Sequence, residues 1–170
     1  MIYGFLETPV GRLLVARDTT GVRLIHFDGP AKAGPAKAGP YVRKRFRPPA
    51  GWERHDRAFD DVAAQLAEYF DGKRRVFELP LAPDGTPFQL RVWNALLEIP
   101  YGETISYGEL AARIGDRSAS RAVGLANGSN PLPIVIPCHR VIGSNGKLTG
   151  YGGGLPIKQQ LLTLERGSLW

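Results

Sequence analysis

The sequence predicts an α/β chain in two domains, a small sheet-containing domain followed by a mainly helical one. Three observations carry this expectation: short alternating apolar runs before residue 30, a Pro/Gly-rich break at residues 80–85, and two Ser/Thr-capped helix starts beyond it. At 170 residues the chain has room for two small domains, and 43% hydrophobic content with three tryptophans supplies a core. The expected boundaries are 1–80 and 86–170.

Residues 2–7 and 12–17 read as short strands joined by Thr8-Pro9-Val10-Gly11, a turn signal. A third run, Val22–Phe27, follows Thr20-Gly21 and completes an antiparallel meander. Residues 30–40 repeat Ala-Lys-Ala-Gly-Pro in tandem, low-complexity sequence with no means of burying a core, so a mobile basic surface loop is expected over about 30–50. Tyr41-Val42-Arg43-Lys44-Arg45-Phe46-Arg47 interleaves basic and aromatic residues, a pattern that suits nucleic acid and equally a solvated strand or loop. Phe59, Val62, Ala63, Leu66 and Phe70 recur at helical spacing over 58–71, and Gly72 ends that helix. Residues 76–81 read as a strand, and Pro80, Pro83, Asp84 and Gly85 as the linker.

Thr86-Pro87-Phe88-Gln89 opens the second domain with a capping box and a proline suited to the first helical position. That helix runs to about Glu98, with Phe88, Val92, Trp93 and Leu96 inward. Ser106-Tyr107-Gly108-Glu109 is a second capping box, opening a helix that ends near Gly115. A third helix spans roughly 118–126, with Gly128 beyond it. The last two suggest a helix-turn-helix, although ordinary helical hairpins look alike. The second member is poor in groups that read base edges, and its small residues allow close backbone approach, with Arg121 as the sole long polar probe. Residues 134–136 (Ile-Val-Ile) read as a buried strand ending at Pro137, Ser144-Asn145-Gly146-Lys147 as a hairpin turn, and a last helix runs from near Pro156 to Gly167 with Ile157, Leu161 and Leu164 inward.

No apolar run approaches the length of a membrane span, and the N-terminus lacks a basic and long apolar region, so neither a transmembrane helix nor a signal peptide is expected. The single cysteine permits no internal disulfide and suits a reducing, cytoplasmic setting. The three dispersed histidines form no zinc-ligand spacing, so no metal and no cofactor is expected. The net charge of +6 is compatible with an anionic partner. It is concentrated in residues 30–57, where eight Lys/Arg face only Glu53 and Asp56.

That lone cysteine lies in Pro137-Cys138-His139-Arg140-Val141. A lone cysteine is by default a small buried hydrophobe. Here a proton acceptor and a fixed cation follow it, with the glycine-rich Gly150-Tyr151-Gly152-Gly153-Gly154 close behind, so a nucleophile is the better reading. Nearby cations are expected to lower the thiol pKa. Adjacent strand residues face opposite ways, so His139 needs an irregular backbone after Pro137, or a bridging water, to act as base. Glu165, near a helix C-terminus, is disfavoured there by the dipole; a partner such as His139 would account for it, an exposed surface glutamate being the default.

The stretch from Phe88 to Gly167 resembles the methylated-DNA–protein-cysteine methyltransferases, the O6-alkylguanine-DNA alkyltransferases. The resemblance rests on Pro137-Cys138-His139-Arg140-Val141 together with Pro100-Tyr101-Gly102-Glu103-Thr104-Ile105-Ser106-Tyr107, Arg121-Ala122-Val123-Gly124, Asn130-Pro131 and Tyr151-Gly152-Gly153-Gly154 in order. It implies a ribonuclease-H-like α/β N-terminal domain and a winged-helix-like DNA-binding C-terminal domain. It implies single-turnover repair, in which Cys138 takes the alkyl group from guanine O6 irreversibly after base flipping. His139 would deprotonate Cys138 through a water, Glu165 would orient the imidazole, and Asn130 would brace the active-site turn. Tyr107 would rotate and bond the target nucleotide, and Arg121 would fill the gap in the stack. Val141, Tyr151, Gly152 and Lys158 would line the guanine pocket, with Ala122, Ala126, Arg140 and Gly153 in the same DNA- or base-facing set. The implied partner is duplex DNA carrying alkylated bases, bound through the minor groove by a protein that is monomeric in solution. Cooperative assembly on DNA and repair of alkylthymine stay open.

Two other readings compete: a thiol hydrolase using Cys138, His139 and Glu165, and a noncatalytic binder of alkyl lesions. Adjacency of Cys and His tells against the first, retention of Cys138 against the second. The tandem repeat has no counterpart in the resemblance; residues 30–47 are expected to add a nonspecific phosphate contact or a contact between neighbouring proteins on DNA.

Overall fold

In a computed structural model of the chain, residues 1–28 and 45–167 are described. They fall into two units, Met1–Pro83 and Asp84–Trp170. The first is built on a sheet of β1 (Ile2–Thr8), β2 (Gly11–Arg17), β3 (Val22–Phe27) and β4 (Glu53–Arg54) in the order β3-β2-β1-β4. The first three strands are the expected antiparallel meander, paired Thr8 to Gly11 and Val15 to Ile25; β4 adds in parallel to β1. Alternation divides the faces. Leu13, Val15, Ile25 and Phe27 are buried, as are Phe59, Val62 and Leu66 from a short 3-10 turn and α1 (Asp60–Phe70). Gly4 is required here, because a Cβ would lie 2.8 Å from the Phe59 ring. The other face carries buried Leu14 and Ala16 and half-buried rings, Tyr3 against Phe5 (5.9 Å) and Trp52 (6.5 Å), and Trp52 against Phe46 (5.9 Å).

The strand expected over residues 76–81 does not form. Only Leu81 makes an isolated bridge to Val22, and Val76 is 71% exposed. Pro80 has no N–H to extend a ladder, and the Gln65 side chain takes over the Glu78 backbone, accepting from its N–H (2.8 Å) and donating to its carbonyl (3.0 Å). The tandem repeat lies outside the described residues.

The second unit contains α2 (Pro87–Leu97), α3 (Tyr107–Arg113), α4 (Ser120–Gly128) and α5 (Leu155–Arg166), with β5 (Ile105–Ser106) paired in parallel to β6 (Val141–Ile142). Both capping boxes are made in full, Thr86 with Gln89 and Ser106 with Glu109. Buried Trp93 on α2 donates its indole N–H to the Ala126 carbonyl on α4 (2.8 Å), tying the two helices. Between α3 and α4 the Asp116 carboxylate accepts from the Ser118 N–H (3.0 Å) and hydroxyl (2.6 Å), closing the turn of the expected helix pair. Gly128 ends α4 from within rather than beyond it. On α5 the inward set is Ile157, Lys158, Leu161, Leu162 and Glu165; Leu164 is half-buried.

Residues 134–136 are buried as expected but form turns instead of a strand. Three prolines at 131, 133 and 137 remove ladder donors, and the Ile136 N–H closes a turn on Leu132 (2.8 Å). Ile134 sits at φ 75°, a strained position for a β-branched residue. Residues 144–147 turn back through the Gly143 N–H to the Lys147 carbonyl (2.9 Å), without the second strand a hairpin needs.

Candidate active site

Pro137 ends the turns, and Cys138–Arg140 make one turn of 3-10 helix. Successive side chains therefore spread around an axis rather than alternating across a strand. The irregular backbone that His139 requires is present. Buried His139 holds the Glu165 carboxylate through Nε2 (2.7 Å). Arg140 donates to the same carboxylate from Nε and Nη2 (both 2.9 Å) and to the Ile99 carbonyl from Nη1 (2.6 Å). The Gly102 N–H adds a fourth donor group to Glu165 (3.3 Å). Gly102 has φ 81°, and a Cβ there would stand 3.1 Å from the Glu165 carbonyl oxygen, which is why the Tyr101-Gly102-Glu103 turn requires glycine.

Burial works to raise the Glu165 carboxyl, but the hydrogen bonds from His139 and Arg140 and the Arg140 charge outweigh it and hold the group at about 2. The His139 imidazole goes the other way: burial lowers its pKa despite Glu165. A neutral ring facing a carboxylate through Nε2 carries its proton there, leaving Nδ1 as acceptor. Nδ1 is buried and has no hydrogen-bond partner among the described residues.

Cys138 is 5% exposed. Burial pushes its thiol up to about 11, against the Asn130 side chain, the Lys158 charge and the backbone N–H groups of Cys138 and His139. This reverses the expected lowering by nearby cations: Arg140 is committed to Glu165, and Lys158 alone is outweighed by desolvation. With its pKa raised in this way, the group rests as a protonated thiol at neutral pH.

Asn130 straps the turn before the cysteine, donating to the Ile136 carbonyl (2.8 Å) and accepting from the Leu132 N–H (2.9 Å). Lys158, fully buried, donates to the carbonyls of Val141 (2.6 Å) and Thr149 (2.8 Å), and burial pushes its pKa down to about 8. Tyr107 opens α3 half-buried, and its phenol oxygen accepts from the Thr149 hydroxyl (3.0 Å). Arg121 and Ala122 are exposed on α4 beside Leu125, which is 77% exposed. Tyr151 is half-buried, Gly152 exposed and Gly153 buried in the segment that leads to α5.

Cys138, His139, Glu165, Val141 and Lys158 thus form one connected buried group with half-buried Asn130 at its edge, and Tyr107 joins it through Thr149. Two residues expected on the DNA- or base-facing side lie elsewhere. Ala126 is 3% exposed, packed inward where its carbonyl serves Trp93. Arg140 is 6% exposed and spends its guanidinium on Glu165 and Ile99, with the Tyr101 ring 5.8 Å away. Sequence reasoning missed Asn127 and Thr149. Buried Asn127 donates weakly to the Cys138 carbonyl (3.5 Å) while its Oδ1 has no partner among the described residues. An amide at a position four residues after inward Val123 was the available signal; Thr149 offered none.

Residues 1–83 match the family described as 6-O-methylguanine DNA methyltransferase, ribonuclease-like domain, and residues 87–167 match its DNA binding domain. A methylated-DNA–protein-cysteine methyltransferase of Methanosarcina acetivorans is 48% identical over 97% of this chain and 98% of its own length. The protein of that name from Mycolicibacterium paratuberculosis is 60% identical over 68% of this chain and 70% of its own. The crystal structure of Mycobacterium tuberculosis OGT in complex with DNA superposes with a TM-score of 0.83 at 43% identity, covering 98% of this chain and 93% of that one. With both halves of the sequence matched and a buried cysteine next to a histidine that holds a glutamate, this chain belongs to the 6-O-methylguanine DNA methyltransferase family.

Proposed function

We propose that this protein repairs alkylated DNA by transferring the alkyl group of O6-alkylguanine to Cys138 Sγ, once per molecule. The observation that carries the reading is the Glu165–His139 pair at 2.7 Å beside a buried thiol. Glu165 keeps the His139 proton on Nε2, so Nδ1 accepts the Cys138 proton through a water. The thiolate attacks the alkyl carbon, the S–C bond forms as the C–O6 bond breaks, and the bonding pair leaves with guanine. The proton lost by sulfur equals the one that guanine gains, so the reaction balances without a cofactor. The thioether product is stable, and no group among the described residues of the site regenerates the thiol.

The target atom is stacked inside a duplex, so the base must be extruded at a cost of roughly a few kcal/mol. In this proposal Tyr107 turns the nucleotide out, and Arg121 takes its place in the stack from the minor groove. The carbonyls of Val141 and Cys138, with Tyr151 and Gly152, receive the base. Exposure of Arg121 and Ala122 on one face of α4 supports that assignment. A reducing cytoplasmic setting completes the proposal, since the reactive thiol must stay unoxidised.

Intact mass after incubation with a duplex containing O6-methylguanine tests it. One methyl should replace one hydrogen, peptide mapping should place it on Cys138, and Cys138→Ser should bind the duplex without gaining mass. Repaired DNA with unmodified Cys138 would refute the assignment.

A further inference from the structure

We propose that Thr149 is a positioning residue for Tyr107, held in place by the buried Lys158 ammonium; this rests on the alkyl-transfer reading above. Thr149 is gripped at both ends. Its carbonyl accepts from Lys158 Nζ (2.8 Å), and its hydroxyl donates to the Tyr107 phenol oxygen (3.0 Å). Lys158 also donates to Val141, which begins β6, and β6 pairs with β5 immediately before Tyr107. These contacts close a ring: β5 to β6 through the strand pairing, β6 to α5 through Lys158, α5 to the 143–151 segment through Thr149, and that segment back to Tyr107.

The chemistry gives the ring a purpose. A phenol oxygen can accept one hydrogen bond while its own O–H donates another. With the Thr149 hydrogen directed at Tyr107, the phenolic hydrogen remains available to a base or phosphate. An ammonium with no carboxylate partner is costly to bury, and Lys158 here is fully buried on two carbonyls, one of which is that of Thr149. The arrangement fixes the backbone of Thr149 from the protein interior and the phenol of Tyr107 from its edge. The side chain that handles the nucleotide is thereby aimed before DNA arrives.

The test compares Thr149→Val, Thr149→Ser, Tyr107→Phe and the double variant Thr149→Val/Tyr107→Phe in single-turnover methyl transfer from an O6-methylguanine duplex. Thermal melts verify that each variant is folded. Thr149→Val should lower the maximal transfer rate about tenfold, with duplex affinity changed less than about twofold; each tenfold step corresponds to about 1.4 kcal/mol of barrier. Thr149→Ser should restore most of that rate, and the double variant should be no slower than Tyr107→Phe. A Thr149→Val rate equal to wild type, a Thr149→Ser loss as large as that of Thr149→Val, or additive losses in the double variant would each overturn the proposal. Wild-type protein that moves no methyl group at all would sink the transfer reading instead, so the two failures are distinguishable.

Discussion

In the proposed reaction His139 and Glu165 divide the task of activating the thiol: one accepts a proton, and the other decides which nitrogen can. With burial lowering the imidazole pKa, His139 stays neutral below the ordinary histidine value of about 6.5. The acid limb of the transfer rate should therefore lie below pH 6.5. His139→Gln should slow transfer roughly 10²–10⁴-fold while duplex binding persists, read by rapid-quench single-turnover assays. Glu165→Gln differs, because it also leaves Arg140 buried without its counter-charge; a stability loss of roughly 3–5 kcal/mol is expected in denaturant titrations. The folded-state pKa of Glu165 lies below the usual carboxylate value, so its contribution is complete above about pH 4.3 and fades as pH falls through about 2. A buried neutral His139 likewise gives up stability as pH drops below about 6.5. Cys138 acts at the other end, losing its contribution as pH rises from about 8.5 through about 11. Melting temperatures at pH 7, 5 and 3 should fall in that order.

At the scale of elements, local signals carried furthest where the chain satisfies itself nearby. Thr86 with Gln89 and Ser106 with Glu109 announce their helices because each box is closed within four residues. The strands of residues 2–27 were legible because alternation and turns are local too. The misreadings lie where a side chain takes over backbone groups that a strand would have paired. Gln65 takes the Glu78 backbone from a position 13 residues away, and Asn130 takes both ends of the 132–136 turn that an apolar run disguises as a strand. The pairing of His139 with Glu165 was readable by chemistry, but the buried place of Arg140 was not, because its partner Glu165 lies 25 residues on. Asn130→Ala strands one carbonyl and one N–H beside strained Ile134, so it should cost roughly 1–3 kcal/mol in denaturant stability. It should also slow methyl transfer, measured on the same preparation.

Across the whole molecule the charge is uneven: residues 30–57 carry eight basic side chains against two acidic ones. If those cations release counterions from DNA, replacing Arg43, Lys44, Arg45 and Arg47 with glutamine should flatten the dependence of log affinity on log salt. The expected change is about 0.9 for each phosphate that is no longer neutralised, measured between about 50 and 200 mM salt. An unchanged slope would mean that these four cations neutralise no phosphate. Within that half, the pairing of Ile105 with Val141 and Ser106 with Ile142 stands directly between Tyr107 and the Cys138–Arg140 turn. Those two rungs work like the rivet of a calliper, with the phenol on one jaw and the sulfur on the other. In the proposed reaction a bulkier lesion would therefore find its room by moving side chains around the thiol, not by parting that pairing.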